Sequence, residues 1–294
     1  MMASQSDGSE KSEKIMIDKD KAKGMLWGLV VGDCLGSPIQ FTAKDGHPWI
    51  TEMEVLPGVC PLPGYWTDDS SMAFCVMNSY ITCGRYDLKD IANNFVKWYY
   101  DGFWSSVEGR SFDVGFATAS ACQAIRDCGS LVNGEEHSQG NGSIMRFAPS
   151  YLIAQGESDP RKVMHEVSDL THASSVVRET IDRFAAILDD HLRGVRTGER
   201  SGYSSREEVN NSGWAVSTLN AALWAFETTK TFEDGMIAAV NLGGDADTIG
   251  AVYGQLAGAY YGFAAIPRRW IEKVKNTAVV ENEINLFLAK VGVP

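Results

Sequence analysis

The sequence predicts an all-α fold. Three observations carry that reading. Apolar residues recur at three- and four-residue spacing along several segments, which puts them on one face of a helix. No long alternating segment flanked by turn pairs appears, so a half-buried sheet has no candidate strands. Two segments carry glycine at every fourth position, Gly24, Gly28, Gly32 and Gly36, then Gly250, Gly254, Gly258 and Gly262. Each glycine costs a helix about 1 kcal/mol relative to alanine. Two stripes of four therefore point to helices whose backbones approach closely.

The elements follow in order. Met1 to Lys14 is rich in Ser, Glu and Lys and is expected to be disordered, with order beginning near Ile15. The first Gly-striped segment comes next. A Pro- and Gly-rich loop (Pro57, Gly58, Pro61, Pro63, Gly64) precedes Thr67, a natural N-cap. A helix from Thr67 to Thr82 buries Met72, Cys75, Val76, Ser79 and Tyr80, with Asp68 and Asp69 in its first turn, where acids suit the helix dipole. Gly129 to Gly142 and Gly198 to Gly213 are turn-forming. Val176 to Leu192, Trp214 to Phe226 and Asp247 to Phe263 read as further helices. No composition break divides residues 15–294, so one domain is expected after the tail. Ile249 to Ile266 lacks charge, but it is mostly Gly, Ala and Tyr and starts on Asp245 and Asp247. A buried core helix fits it better than a membrane span.

Composition narrows the function. The 294 residues hold 26 Lys and Arg against 38 Asp and Glu, a formal charge of -12. A non-specific nucleic-acid or anionic-membrane binder needs a basic footprint, and this chain lacks the excess. The six cysteines form no C-x-x-C pair, which argues against a zinc ribbon or a redox dithiol. Without a secretory or mitochondrial signal in the first residues, reduced thiols in the cytoplasm are expected.

Two motifs carry chemistry. Thr67-Asp-Asp-Ser and Gly243-Gly-Asp-Ala-Asp-Thr each open an apolar helix with two carboxylates and a threonine hydroxyl. A cap needs one such group. Four carboxylates meeting in one pocket repel unless neutralised. Hard divalent cations are the usual answer, and Mg²⁺ takes carboxylates, hydroxyls and water. Gly140-Asn-Gly-Ser-Ile-Met-Arg offers backbone N–H groups toward an anion at an expected helix start. His172, in Thr171-His-Ala-Ser-Ser, either orients a ligand or satisfies a core hydrogen bond. Asp33, alone on the first Gly-striped helix, must be bonded if buried, by a helix end or at the acidic site.

These motifs, with Gly-Asp-Cys-Leu-Gly at 32–36 and Trp66-Thr-Asp-Asp-Ser-Ser-Met, resemble the ADP-ribosylglycohydrolase family in kind and order, over roughly residues 20 to 270. The resemblance implies a single compact orthogonal helical bundle. It implies two Mg²⁺ or Mn²⁺ ions held by Thr67, Asp68, Asp69, Asp245, Asp247 and Thr248, with Asp69 and Asp247 also catalytic candidates. It implies that Asn141, Gly142, Ser143, Met145, His172, Gly243 and Gly244 bind the ligand. Phe112-Asp-Val-Gly resembles an element of the bacterial enzymes that makes Asp113 a catalytic candidate. The implied activity is hydrolysis of the bond between ADP-ribose and an acceptor, with ADP-ribosylarginine on protein preferred, carried out by a monomer. One departure stands out. Where many members carry a gating Glu, this chain has Gln40. Gln40 still offers a carbonyl oxygen to metal or ligand, but it cannot act as a base. That leaves Asp113 or a metal-binding carboxylate to do so, or a weakened member that only binds ADP-ribose or serves a structural role. The paired acidic motifs by themselves also permit a metal-dependent phosphohydrolase.

Overall fold

The computed structural model describes residues 17–54 and 62–293. The polar tail and most of the Pro- and Gly-rich loop lie outside them. Among the described residues there are twelve α-helices and no strand beyond one isolated antiparallel bridge, Gly140 to Trp214.

Two helices form the axis, α1 (Lys19–Gly36) and α10 (Ala246–Tyr261). They run antiparallel, and their glycines face one another. A β-carbon added at Gly28 would overlap the carbonyl of Gly254; one at Gly32 would overlap that of Gly250; one at Gly24 would crowd that of Gly258. The helix cost of these glycines is thus offset by backbone contact that no larger residue permits. The stripes are not perfectly matched. Gly36 meets Ala246, and Gly262 lies past the end of α10 as its C-cap at φ 82, a conformation that favours glycine.

Between them come α2 (Asp68–Cys83), α3 (Leu88–Asp101), α4 (Phe116–Cys128), α5 (Phe147–Ala154), α6 (Pro160–Asp169), α7 (Ser175–Leu192), α8 (Ala215–Thr228) and α9 (Phe232–Val240). The chain closes with α11 (Arg268–Lys273) and α12 (Thr277–Lys290). Helices α2, α7, α8 and α10 begin and end within two residues of their expected bounds. The remaining starts carry local signals too: Asp87 caps α3 and Asp159, followed by Pro160, caps α6. No described helix is long and apolar enough to cross a membrane.

The antiparallel axis fixes the site. The C-terminal end of α1 stands beside the N-terminal end of α10, where Gly36 touches Ala246 and Asp247. The start of α2 is tied to the same end of α1 through Asp33.

Candidate active site

Asp33 is fully buried and makes the knot. Its carboxylate accepts from the backbone N–H of Thr67 at 2.9 Å and of Ser70 at 3.0 Å, and from the hydroxyl of Ser70 at 2.6 Å. The Thr67 hydroxyl lies 2.9 Å from Asp33 Oδ1 and 3.1 Å from Asp69 Oδ2. Asp33 is therefore a helix-end brace, one of the two roles its place in the sequence suggested. Burial raises its pKa to about 6, opposed by the hydrogen bonds from Ser70 and Thr67.

The cap of α2 is Thr67 alone, whose side chain accepts from the Asp69 amide. Asp245 occupies the N-cap position of α10 but makes no capping bond. Its Oδ2 instead accepts from the Asn141 side-chain amide at 2.6 Å. The four carboxylates are thus not consumed by helix capping.

They converge. Asp68, Asp245, Asp247 and Thr248 line a cavity of about 440 Å³, and Gln40 and Asp113 line it with them. Asn141, Gly142, Met145 and His172 also contribute to its wall. Gln40 donates to Asp113 Oδ2 at 2.7 Å. Asp113 has φ 57, and Phe41, next to Gln40, has φ 60. Two non-glycine residues in this left-handed region mark a constrained junction at the cavity. Thr67, Asp69, Ser143, Gly243 and Gly244 lie outside the lining. Asp69 and Ser143 are buried, and Oδ1 of Asp69, Oδ1 of Asp247 and the Ser143 hydroxyl have no hydrogen-bond partner among the described residues.

Matches to known proteins agree with this arrangement. A family model described as ADP-ribosylglycohydrolase matches residues 15–194 and 175–292. The chain belongs to the ADP-ribosylglycohydrolase family. It is therefore a glycosylhydrolase acting on ADP-ribose linkages. It is 35% identical over 282 residues to the ADP-ribosylarginine hydrolase Tri1 of Pseudomonas putida (strain GB-1), covering 87% of this chain and 74% of that protein. It is 29% identical over 301 residues to the ADP-ribosyl-[dinitrogen reductase] glycohydrolase of Rhodospirillum rubrum, covering 93% and 97%. A solved structure titled ADP-ribosylglycohydrolase-related protein complex superimposes with a TM-score of 0.78 at 35% identity, covering 93% of this chain and 98% of that one.

The electrostatics of this glycohydrolase follow from burial. Asp68 is pushed well above the usual carboxylate range by burial, then by the charges of Asp113, Asp247, Asp33 and Asp245. Asp69 is raised by burial and by Asp33 and Asp68, and Asp247 by burial and by Asp245 and Asp69. Each of these carboxylates is therefore disfavoured as an anion first by burial and then by like charges beside it. Among the described residues, no three His, Cys, Asp or Glu side chains already form a closed ligand group. The donor set drawn from both helix starts also includes two threonine hydroxyls. Its buried, unpartnered carboxylate oxygens are of the type hard divalent cations take.

One expectation needs correction. The Gly140–Ser143 loop does not open a regular helix: α5 begins only at Phe147, after a turn in which the Ile144 and Met145 amides donate to the Asn141 carbonyl. The amides of Gly142 and Ser143 have no acceptor among the described residues, so the loop presents donors without a helix dipole behind it. Gly243 and Gly244, like Thr67, Asp69 and Ser143, lie outside the cavity lining. Both have positive φ and pack on Thr42 and Asn211, turning the chain into α10. Sequence reasoning also passed over Phe41 and Phe116. Both line the cavity while remaining 77% and 88% exposed. Phe41 sits in a turn and Phe116 at the first position of α4, so neither belongs to a periodic apolar face that would announce it.

Proposed function

We propose that this glycohydrolase hydrolyses ADP-ribosylarginine on protein and releases ADP-ribose, with two Mg²⁺ or Mn²⁺ ions held by Thr67, Asp68, Asp69, Asp245, Asp247 and Thr248. The observation that carries the reading is the Gln40–Asp113 hydrogen bond within the cavity that Asp68, Asp245 and Asp247 also line. The similarity to arginine-directed relatives supports the choice of acceptor. The orphaned oxygens of Asp69 and Asp247 support the cations.

When bound, the cations supply Lewis acidity toward sugar hydroxyls and water. The protein's own residues do the rest. Asn141, fixed between Thr218 and Asp245, and the Gly142 and Ser143 amides position the ADP-ribose. Gln40 holds Oδ2 of Asp113, which leaves Oδ1 to take a proton near the scissile bond. The neutral amide does this without adding another charge to an acidic site. The free thiols of Cys34, Cys75 and Cys122 support work in the reducing cytoplasm.

The test is incubation with arginine-, serine- and nucleobase-linked ADP-ribose, with Mg²⁺, with Mn²⁺ and with chelator. Free ADP-ribose from the arginine linkage, lost on chelation, is the expected result. AMP as product would indicate a phosphohydrolase. Binding of ADP-ribose without turnover on any linkage would replace hydrolysis by a binding role.

A further inference from the structure

His172 stands on a buried relay that the proposed chemistry does not use. Arg146 is 1% exposed, and its guanidinium lies over the Phe95 ring at 4.8 Å. Its Nε has no hydrogen-bond partner among the described residues, and its two terminal nitrogens carry the polar contacts. Arg146 Nη1 donates to the carbonyl of Gly142, and Nη2 donates to the Thr171 hydroxyl oxygen at 2.8 Å. The same hydroxyl lies 2.8 Å from Nδ1 of His172.

Counting hydrogens fixes the direction. A threonine hydroxyl has one proton to give and can accept. Arg146 has no lone pair, so Thr171 accepts from it. If His172 Nδ1 also donated, the buried Thr171 proton would be left without an acceptor, at a cost of about 1–3 kcal/mol. The satisfied arrangement has Thr171 donating to Nδ1, so the imidazole proton sits on Nε2. Burial, and then the charge of Arg146, hold the His172 pKa at about 3, so the ring stays neutral.

Nε2 has no hydrogen-bond partner among the described residues, and the ring lines the cavity. It packs on the Gly140–Gly142 loop: a β-carbon at Gly142 would stand 2.5 Å from His172 Cε1. No Lys or Arg among the described residues lines the cavity. An anionic ligand there must be met by uncharged donors.

We propose that Arg146 and Thr171 are positioning residues that lock His172, the histidine the family resemblance already assigns to the ligand, as a neutral Nε2–H donor facing the cavity. The identity of that ligand rests on the ADP-ribose reading; the locked tautomer does not.

The experiment is long-range ¹H–¹⁵N spectroscopy on protein with ¹⁵N-labelled histidine, with the His172 signals assigned by their loss in His172→Gln. A pyridine-type Nδ1 and a pyrrole-type Nε2 at neutral pH are expected. Thr171→Val should shift the ring toward the other tautomer and weaken ADP-ribose binding by about tenfold, the value of one hydrogen bond to a charged group. Thr171→Ser, which keeps the hydroxyl, should restore both. A protonated Nδ1 in the wild type overturns the relay, and this outcome is readable even if Thr171→Val does not fold. An unchanged tautomer and unchanged affinity in Thr171→Val also overturn it. Wild-type protein with the expected tautomer but no affinity for ADP-ribose would remove that ligand and leave the relay standing.

Discussion

The side-chain amide of Gln40 donates to Oδ2 of Asp113 at 2.7 Å, across 73 residues of sequence. At this position a glutamate would set two carboxylates within hydrogen-bond distance. They would have to share a proton or move apart. Gln40→Glu is therefore expected to lower cleavage of arginine-linked ADP-ribose at pH 7, with activity recovering at higher pH as the pair loses its proton. Asp113→Asn should lower kcat by about 10²–10⁴, the usual value of a general base, while ADP-ribose affinity changes little. Rate against pH for both variants checks this. Full activity in Asp113→Asn would remove it from the mechanism.

Divalent cations should stabilise the fold. Asp68, Asp69 and Asp247 repel one another in a buried space, and a cation that binds only the folded state shifts unfolding by mass action. At a hundredfold excess over Kd the gain is about 2.7 kcal/mol. Thermal unfolding with and without Mg²⁺ or Mn²⁺ should show a rise in Tm that Asp247→Asn reduces. Equal melting of wild type and Asp247→Asn under every condition would count against the metal set.

The helix axis gives a packing prediction. A β-carbon at Gly28 has no room against Gly254, whereas one at Gly198 meets nothing within 4 Å. Gly28→Ala should cost about 3 kcal/mol through overpacking. Gly198→Ala should change stability by under about 0.5 kcal/mol. Urea unfolding of the pair measures the difference.

His191 sets a pH dependence remote from the site. It is fully buried, its Nδ1 lies 2.7 Å from the Leu256 carbonyl, and its ring packs on Phe226. Burial lowers its pKa from 6.5 to about 4. The unfolded state therefore binds more protons between those values, and the stabilising contribution of neutral His191 is lost as pH falls from 6.5 toward 4. The stability gap between wild type and His191→Phe should narrow by about 2 kcal/mol from pH 7 to pH 5. Denaturant unfolding at both pH values reads it. A constant gap would mean that His191 titrates normally.

Much of this was legible in the chain because it is local. Thr67 caps its own helix, the acids follow it directly, and the glycine stripes repeat at helical spacing. The sequence also placed Gln40 at the acidic pocket by analogy with the family. Other features needed contacts between distant segments. Gly140–Ser143 reads as a helix start, yet Gly140 is bridged to the distant Trp214 and the Asn141 amide donates to the Gly213 carbonyl. The packing of Gly243 on Thr42 and of Gly244 on Asn211 likewise joins segments far apart in the chain.

By itself, the sequence determined the helical class, the two acidic helix starts, the family and the absence of a base at Gln40, since each depends on residue type and near spacing. Only the tertiary structure decided that Asp33 ties α1 to α2, that Gln40 bonds Asp113 and that Arg146 reaches His172 through Thr171. Those are relations of angle and burial between residues tens of positions apart. A hydrogen bond exists only where a donor and an acceptor arrive within about 3 Å in the right orientation, and nothing in residue order states that distance.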